Sequence, residues 1–178
     1  MKYLIMSIII FLLSCNQDKK RNTLKTFIKV SFYKGAIDTS IPINCQKIGT
    51  GNIGSVKDTI IENGETMEQI IEQIIISKNS KEIKGKICDM RIKCVIYGQN
   101  NDTTNLCLGE NNCLMIDDKA MNPNNSLSYL VKSNIGYYNY FSKDELNYFD
   151  ELKGKDISNI YIDMRRKKSL NGIPLPPN

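Results

Sequence analysis

The stretch DMRIKCVIYGQNNDTTNLCL, residues 89–108, sets the architecture. Met90, Ile92, Cys94 and Ile96 alternate with Arg91, Lys93, Val95 and Tyr97, the period of two that a strand with one buried face requires. Asn100, Asn101 and Asp102 supply turn chemistry, and Thr103 to Leu108 return as a second strand. A turn centred between Asn100 and Asn101 sets Gly98 against Thr103, Ile96 against Asn105 and Cys94 against Cys107. This register predicts a Cys94 to Cys107 bridge. Carried further, it brings Cys88 opposite Cys113, although Gly109 to Asn112 read as a turn that diverts the strand first, and it leaves Cys45 as the odd thiol. Cys88 cannot bridge Cys94 along one strand, since six residues at about 3.3 Å each separate them by about 20 Å, beyond disulfide reach. The rival expectation is that Cys94 is a small buried core residue.

Working outward, Phe27 to Tyr33 alternates with Ile28, Val30 and Phe32 on one side, and Gly35 ends it. Ile41, Ile43 and Cys45 predict a short second strand, which Pro42 pushes to a sheet edge. Asn63 and Gly64 break the chain before Met67, Ile70, Ile71 and Ile74, which recur at helical spacing as far as Lys78. On the C-terminal side, Cys113 to Ile116 and Lys119 to Asn122 predict a hairpin about Asp117 and Asp118. Ser126 to Ile135 and Ser142 to Leu152 predict two closing helices, the second N-capped by Ser142 with Glu145 three residues on. Ile157 to Met164 is expected to add a last strand. The prediction is a single small α+β domain, an antiparallel meander of about four strands with about three helices packed on it, spanning residues 25–164. Residues 165–178 form a basic, proline-rich tail.

Before the domain, Lys2 precedes an apolar run from Leu4 to Leu13 interrupted only by Ser7, and Asn16 to Lys20 end it. That run is roughly half the ~20 residues a membrane-crossing helix needs, so residues 1–14 read as a signal peptide and 15–24 as a flexible tether. Leu12, Leu13, Ser14 and Cys15 resemble the lipobox of bacterial lipoproteins. The resemblance covers the signal segment only, and Leu13 is bulkier than the residue often found there. It implies cleavage before Cys15, lipidation of its thiol and a mature chain held to a membrane by two or more acyl chains. Asn16, in place of aspartate after the cysteine, resembles the enteric pattern of outer-membrane over inner-membrane delivery.

Composition removes several classes of chemistry. The chain has no histidine, so the commonest general base and metal ligand is missing and triad hydrolases are excluded. Without residues 1–14 the net charge is +4, too mild to call for nucleic acid. Gly49, Gly51 and Gly54 have G-x-G-x-x-G spacing but lack the strand-to-helix context of a nucleotide loop. The five-residue gaps between Cys88 and Cys94 and between Cys107 and Cys113 are too long for zinc knuckles, and an exported chain favours disulfides. No cofactor or metal is predicted.

What remains is an aromatic concentration, Tyr137, Tyr138, Tyr140 and Phe141, followed by Tyr148 and Phe149. It suits either a protein-binding surface or the packing of helix on sheet. Asp117, Asp118 and Asp163 read as turn or surface acids before catalysts or calcium ligands, and Arg165 to Lys168 as a solvated basic run before a lipid-contacting one. The sequence therefore predicts a lipid-anchored envelope protein that binds another protein, immunity or inhibitor proteins against an envelope-directed toxin being one form. The rivals are an enzyme using carboxylates, tyrosine or a free cysteine, and a structural envelope component.

Overall fold

A computed structural model describes residues 26–35, 41–50, 56–98, 102–110 and 112–161. The signal segment, Cys15, the tether, Gly51, Gly54, Asp163 and the basic tail lie outside them. The chain forms an α+β domain on one antiparallel sheet of six strands: β1 (Phe27–Tyr33), β2 (Val56–Ile61), β3 (Met90–Tyr97), β4 (Thr103–Gly109), β5 (Leu114–Ile116) and β6 (Lys119–Met121). Their order is β2-β1-β3-β4-β5-β6, so β3 to β6 are a meander and β1 enters between β2 and β3. The helices are α1 (Gly64–Lys78), α2 (Asn125–Asn134) and the single turn α3 (Lys143–Leu146).

Alternation along the strands puts Ile28, Val30, Phe32, Ile92, Cys94, Ile96, Leu106 and Leu108 on one buried face. Met67, Ile70 and Ile74 of α1 and Leu127 and Val131 of α2 close over it. Each such aliphatic side chain contributes about 1.5–3 kcal/mol by leaving water. Both helices start on an asparagine: Asn63 accepts from the Thr66 amide, and Asn124 accepts from the Leu127 amide while its Nδ2 donates to Ser77 Oγ of α1. One residue thus begins α2 and ties it to α1.

The β3–β4 register differs from the expected one by a single residue. Cys94 stands opposite Leu106, and Cys107 stands opposite Lys93. Gly98 donates to the Asp102 carbonyl at 2.8 Å, one residue short of the expected Gly98 to Thr103 pairing. The slip follows from burial: the expected pairing would have put Leu106 and Leu108 on the face of Lys93 and Val95, whereas the observed one joins them to Ile92 and Cys94. Cys94 and Cys107 therefore point to opposite faces, and the Cys94 to Cys107 bridge does not form. Cys107 is bonded instead to Cys45, with Cα atoms 5.9 Å apart, so Cys45 is not the leftover thiol. Cys88 is bonded to Cys113 at a Cα separation of 5.7 Å. A bulge between Met90 and Ile92 lets the chain change face after Cys88 and Met90, which lie on the side opposite Ile92. Cys94 is a buried free thiol.

Other expectations change for local reasons. Residues 41–45 form no strand; Asn44 caps a 3-10 turn at Cys45–Lys47, and Ile43 exchanges hydrogen bonds with Asp89 and Met90 across the second face. Strand β2 was not anticipated because it pairs only with β1 at the sheet edge and buries little, so its Lys57-Asp58-Thr59 run carries no apolar alternation. The helix expected from Ser142 ends at Leu146 despite a complete capping box, because Phe149 turns back into the aromatic cluster. Residues 157–161 are helical, not extended, with Asp156 capping the Asn159 amide.

Candidate functional site

Where α2 ends, Gly136 adopts φ 65° and reverses the chain into the 3-10 turn Tyr137–Tyr140. The left-handed backbone angle favours glycine there, and a Cβ, 2.7 Å from Asn139 Nδ2, would also displace that side-chain amide. The turn drives Tyr137 and Tyr138 inward. Each is 2 % exposed, so of the two readings of this segment, a protein-binding surface or the packing of helix on sheet, these two rings take the packing one. Tyr137 packs on Phe32 of the sheet and, at 5.1 Å between ring centres, on Phe141. Tyr138 packs edge-on against Phe149 at 5.5 Å. Tyr140 and Phe141 are half-buried.

This packing places three polar groups in the interior. Lys132 Nζ donates to Glu151 Oε1 at 2.5 Å, and the Tyr138 hydroxyl donates to the same oxygen at 3.0 Å. The Lys132 ammonium also lies 4.9 Å from the centre of the Phe149 ring. Burial pulls the lysine below its ordinary pKa against the opposing pull of Glu151. Burial, and then the neighbouring carboxylates, push the hydroxyls of Tyr138 and Tyr137 well above theirs.

Above this network opens a cleft of about 190 Å³, walled by Tyr137, Phe141, Tyr148 and Phe149. Its lining carries four carboxylates, Glu110, Glu145, Asp150 and Glu151, against one ammonium, Lys132. Arg91, 3 % exposed, holds Glu110 through Nε at 3.0 Å and Asp89 through Nη2 at 2.6 Å. Asn112 donates to Asp150 at 2.9 Å, Lys153 pairs with the same carboxylate, and the Ser142 amide fixes Glu145 and lowers its pKa. Tyr148 projects from the rim, 86 % exposed. A wider, more open polar depression adjoins it, sharing Asn112 and Asp150 and lined by Gln73, Ser77 and Asn124.

Other residues singled out by sequence have structural work. Asp117 and Asp118 take positive φ, 48° and 63°, in the β5–β6 turn, and Asp117 accepts from the Asn105 amide and pairs with Lys78. Cys94 is wholly buried and its pKa is pushed up to about 12, so it supplies no thiolate. Among the described residues, no three His, Cys, Asp or Glu side chains are grouped to hold a metal ion. Lys132 was legible but missed: with Leu127, Ser128, Val131 and Ile135 it occupies the buried stripe of α2, where a lysine is out of place. Glu110 joins the sequence neighbours Asp150 and Glu151 only through tertiary structure. Compared with known proteins, the chain matches no family model, no curated protein and no solved structure.

Proposed function

We propose that this chain is a lipid-anchored protein of the cell envelope that acts by binding another protein, and that the cleft beside α2 is its docking site. The anchor rests on Leu12 to Cys15 and the short apolar leader. The docking role is carried by one observation: an exposed tyrosine stands at the mouth of an aromatic cleft whose floor is immobilised by the buried Lys132–Glu151–Tyr138 network. A ring presented on a rigid base gives contact area at little entropic cost, the property of interface anchors. The chemistry of the interior favours binding over catalysis, because its tyrosine hydroxyls and free thiol are buried and held protonated.

Two measurements test this. Cys15→Ser should move the protein from the membrane pellet to the soluble fraction; retention after a carbonate wash overturns the anchor. A photo-crosslinking amino acid at Tyr148 should give one discrete adduct in intact cells, and the same group at Ile60, exposed on the far side of the sheet, should give none. Equal adducts at both positions, or none at Tyr148, overturn the docking site.

A further inference from the structure

We infer that the group received by the cleft is a basic side chain, lysine or arginine, projected by the partner protein; this rests on the docking reading above. A volume of about 190 Å³ accommodates one long side chain, not a strand or helix. Its two kinds of wall match the two parts of such a chain. The rings of Tyr137, Phe141 and Phe149 suit a methylene stem, and the carboxylates of Glu110, Glu145 and Asp150 suit a cationic head.

Charge decides between occupants. The lining holds four acids and one base; Lys132 is bonded to Glu151, and Arg91 and Lys153 pair with Glu110 and Asp150, so the wall keeps one net negative charge, that of Glu145. An acidic side chain would enter against a net negative wall. A neutral one would cover carboxylates without replacing their water, a cost that hydrogen bonding to a cation removes. Each carboxylate keeps acceptor capacity beyond its present partner, since it has about four lone-pair sites. The molecule also shows that aromatic faces of this domain take ammonium groups: Lys155 sits 4.2 Å from the centre of Tyr129, and Lys132 sits 4.9 Å from that of Phe149.

The test uses the ¹⁵N-labelled full-length chain in detergent, titrated with the peptide acetyl-Gly-Arg-Gly-amide and with its neutral citrulline counterpart. The arginine peptide should shift amides around Glu110 and Tyr148 to Asp150 and bind about tenfold more tightly than citrulline, the difference between charged and neutral hydrogen bonds. Tyr148→Ala, whose side chain is exposed, should weaken the arginine peptide about fivefold without altering the rest of the spectrum. Glu110→Gln should bring the two peptides closer in affinity. Equal binding of both peptides, or shifts confined to another surface, overturns the inference. A Tyr148 crosslink that persists alongside equal peptide binding would sink the basic occupant and leave the docking site standing; absence of that crosslink would sink the docking site itself.

Discussion

Lys132 and Glu151 meet at 2.5 Å with side chains 4 % and 1 % exposed, and Tyr138 completes the coordination of the shared carboxylate oxygen. A pair so far from water is held by geometry, because each charge alone would be severely destabilising there. Lys132→Met, which leaves the Glu151 carboxylate with only the tyrosine, should cost about 3–5 kcal/mol of unfolding free energy. The double variant Lys132→Met with Glu151→Leu should recover most of it, since two apolar side chains of similar volume need no partner. Urea unfolding of the three proteins checks the order. A double variant as unstable as the single one would show that the charges themselves stabilise the fold.

The same interior sets the response to alkali. Tyr137 and Tyr138 hold their protons above the usual tyrosine value, so above pH of about 10 the unfolded chain releases protons that the folded one keeps, and stability falls as pH rises. Cys94, raised from 9.0 to about 12, acts in the same direction from pH 9 upward. Lys132 opposes them: its lowered value leaves the folded state with fewer protons below pH 10.5, so its contribution rises with pH in that window. The cysteine and lysine therefore offset each other near pH 9 to 10, and the tyrosines dominate beyond. Tyr137→Phe should flatten the decline above pH 10 by about 1.4 kcal/mol per pH unit, one proton's worth. Denaturant midpoints from pH 8 to 11 measure it, and an unchanged slope would place the Tyr137 hydroxyl in contact with solvent.

The elements that could be read in advance are those whose periodicity reports burial directly. Met67, Ile70 and Ile74 mark α1 because one helix face is dry, and Ile28, Val30 and Phe32 mark β1 for the corresponding reason in a strand. The β3–β4 hairpin was legible as a hairpin but not in register, since a polar loop of asparagines admits turns differing by one residue. The choice between them lies in where Leu106 and Leu108 are buried, a property of the whole core. Of the aromatic segment, the sequence could not say that Gly136 would turn Tyr137 and Tyr138 inward and leave Tyr148 outside. Of the cleft acids, Glu145, Asp150 and Glu151 are close in sequence, but Glu110 joins them only through the fold, from the end of β4.

Gly109 ends β4 where the backbones of Asp89 and Glu110 meet through a 3.1 Å hydrogen bond. A Cβ there would overlap the Asp89 carbonyl oxygen and lie 3.0 Å from Cys113 Cβ. Gly109→Ala should therefore cost about 1–3 kcal/mol, the range for forcing a methyl group into a packed site. It should also disturb the Arg91 contacts to Asp89 and Glu110, and with them the acidic edge of the cleft. Thermal unfolding with amide spectra of residues around Glu110 gives both readouts. Wild-type stability in the alanine variant would mean that the Asp89 strand yields freely.

The two disulfides join segments that the hydrogen-bonded sheet does not. Cys45 to Cys107 closes 62 residues and pins the 41–48 segment over the sheet face that the helices leave open, beside Tyr33, Ile43, Ile48 and Met90. Cys88 to Cys113 closes 25 residues next to the bulge. On loop-entropy grounds the first should contribute about 4 kcal/mol and the second about 3.5 kcal/mol, a small difference in favour of the longer loop. The stronger expectation is structural. Cys45→Ala with Cys107→Ala should expose Tyr33 and Ile43 while leaving the helix-covered face intact, because Cys107 and Leu106 point to opposite sides of β4. Cys94→Ala should leave both bridges in place and remove a thiol that does not react with iodoacetamide until the protein unfolds. Non-reducing peptide mapping decides the connectivity: a Cys94 to Cys107 peptide would require the β3–β4 pairing to slide by one residue, and with it every buried side chain of β4.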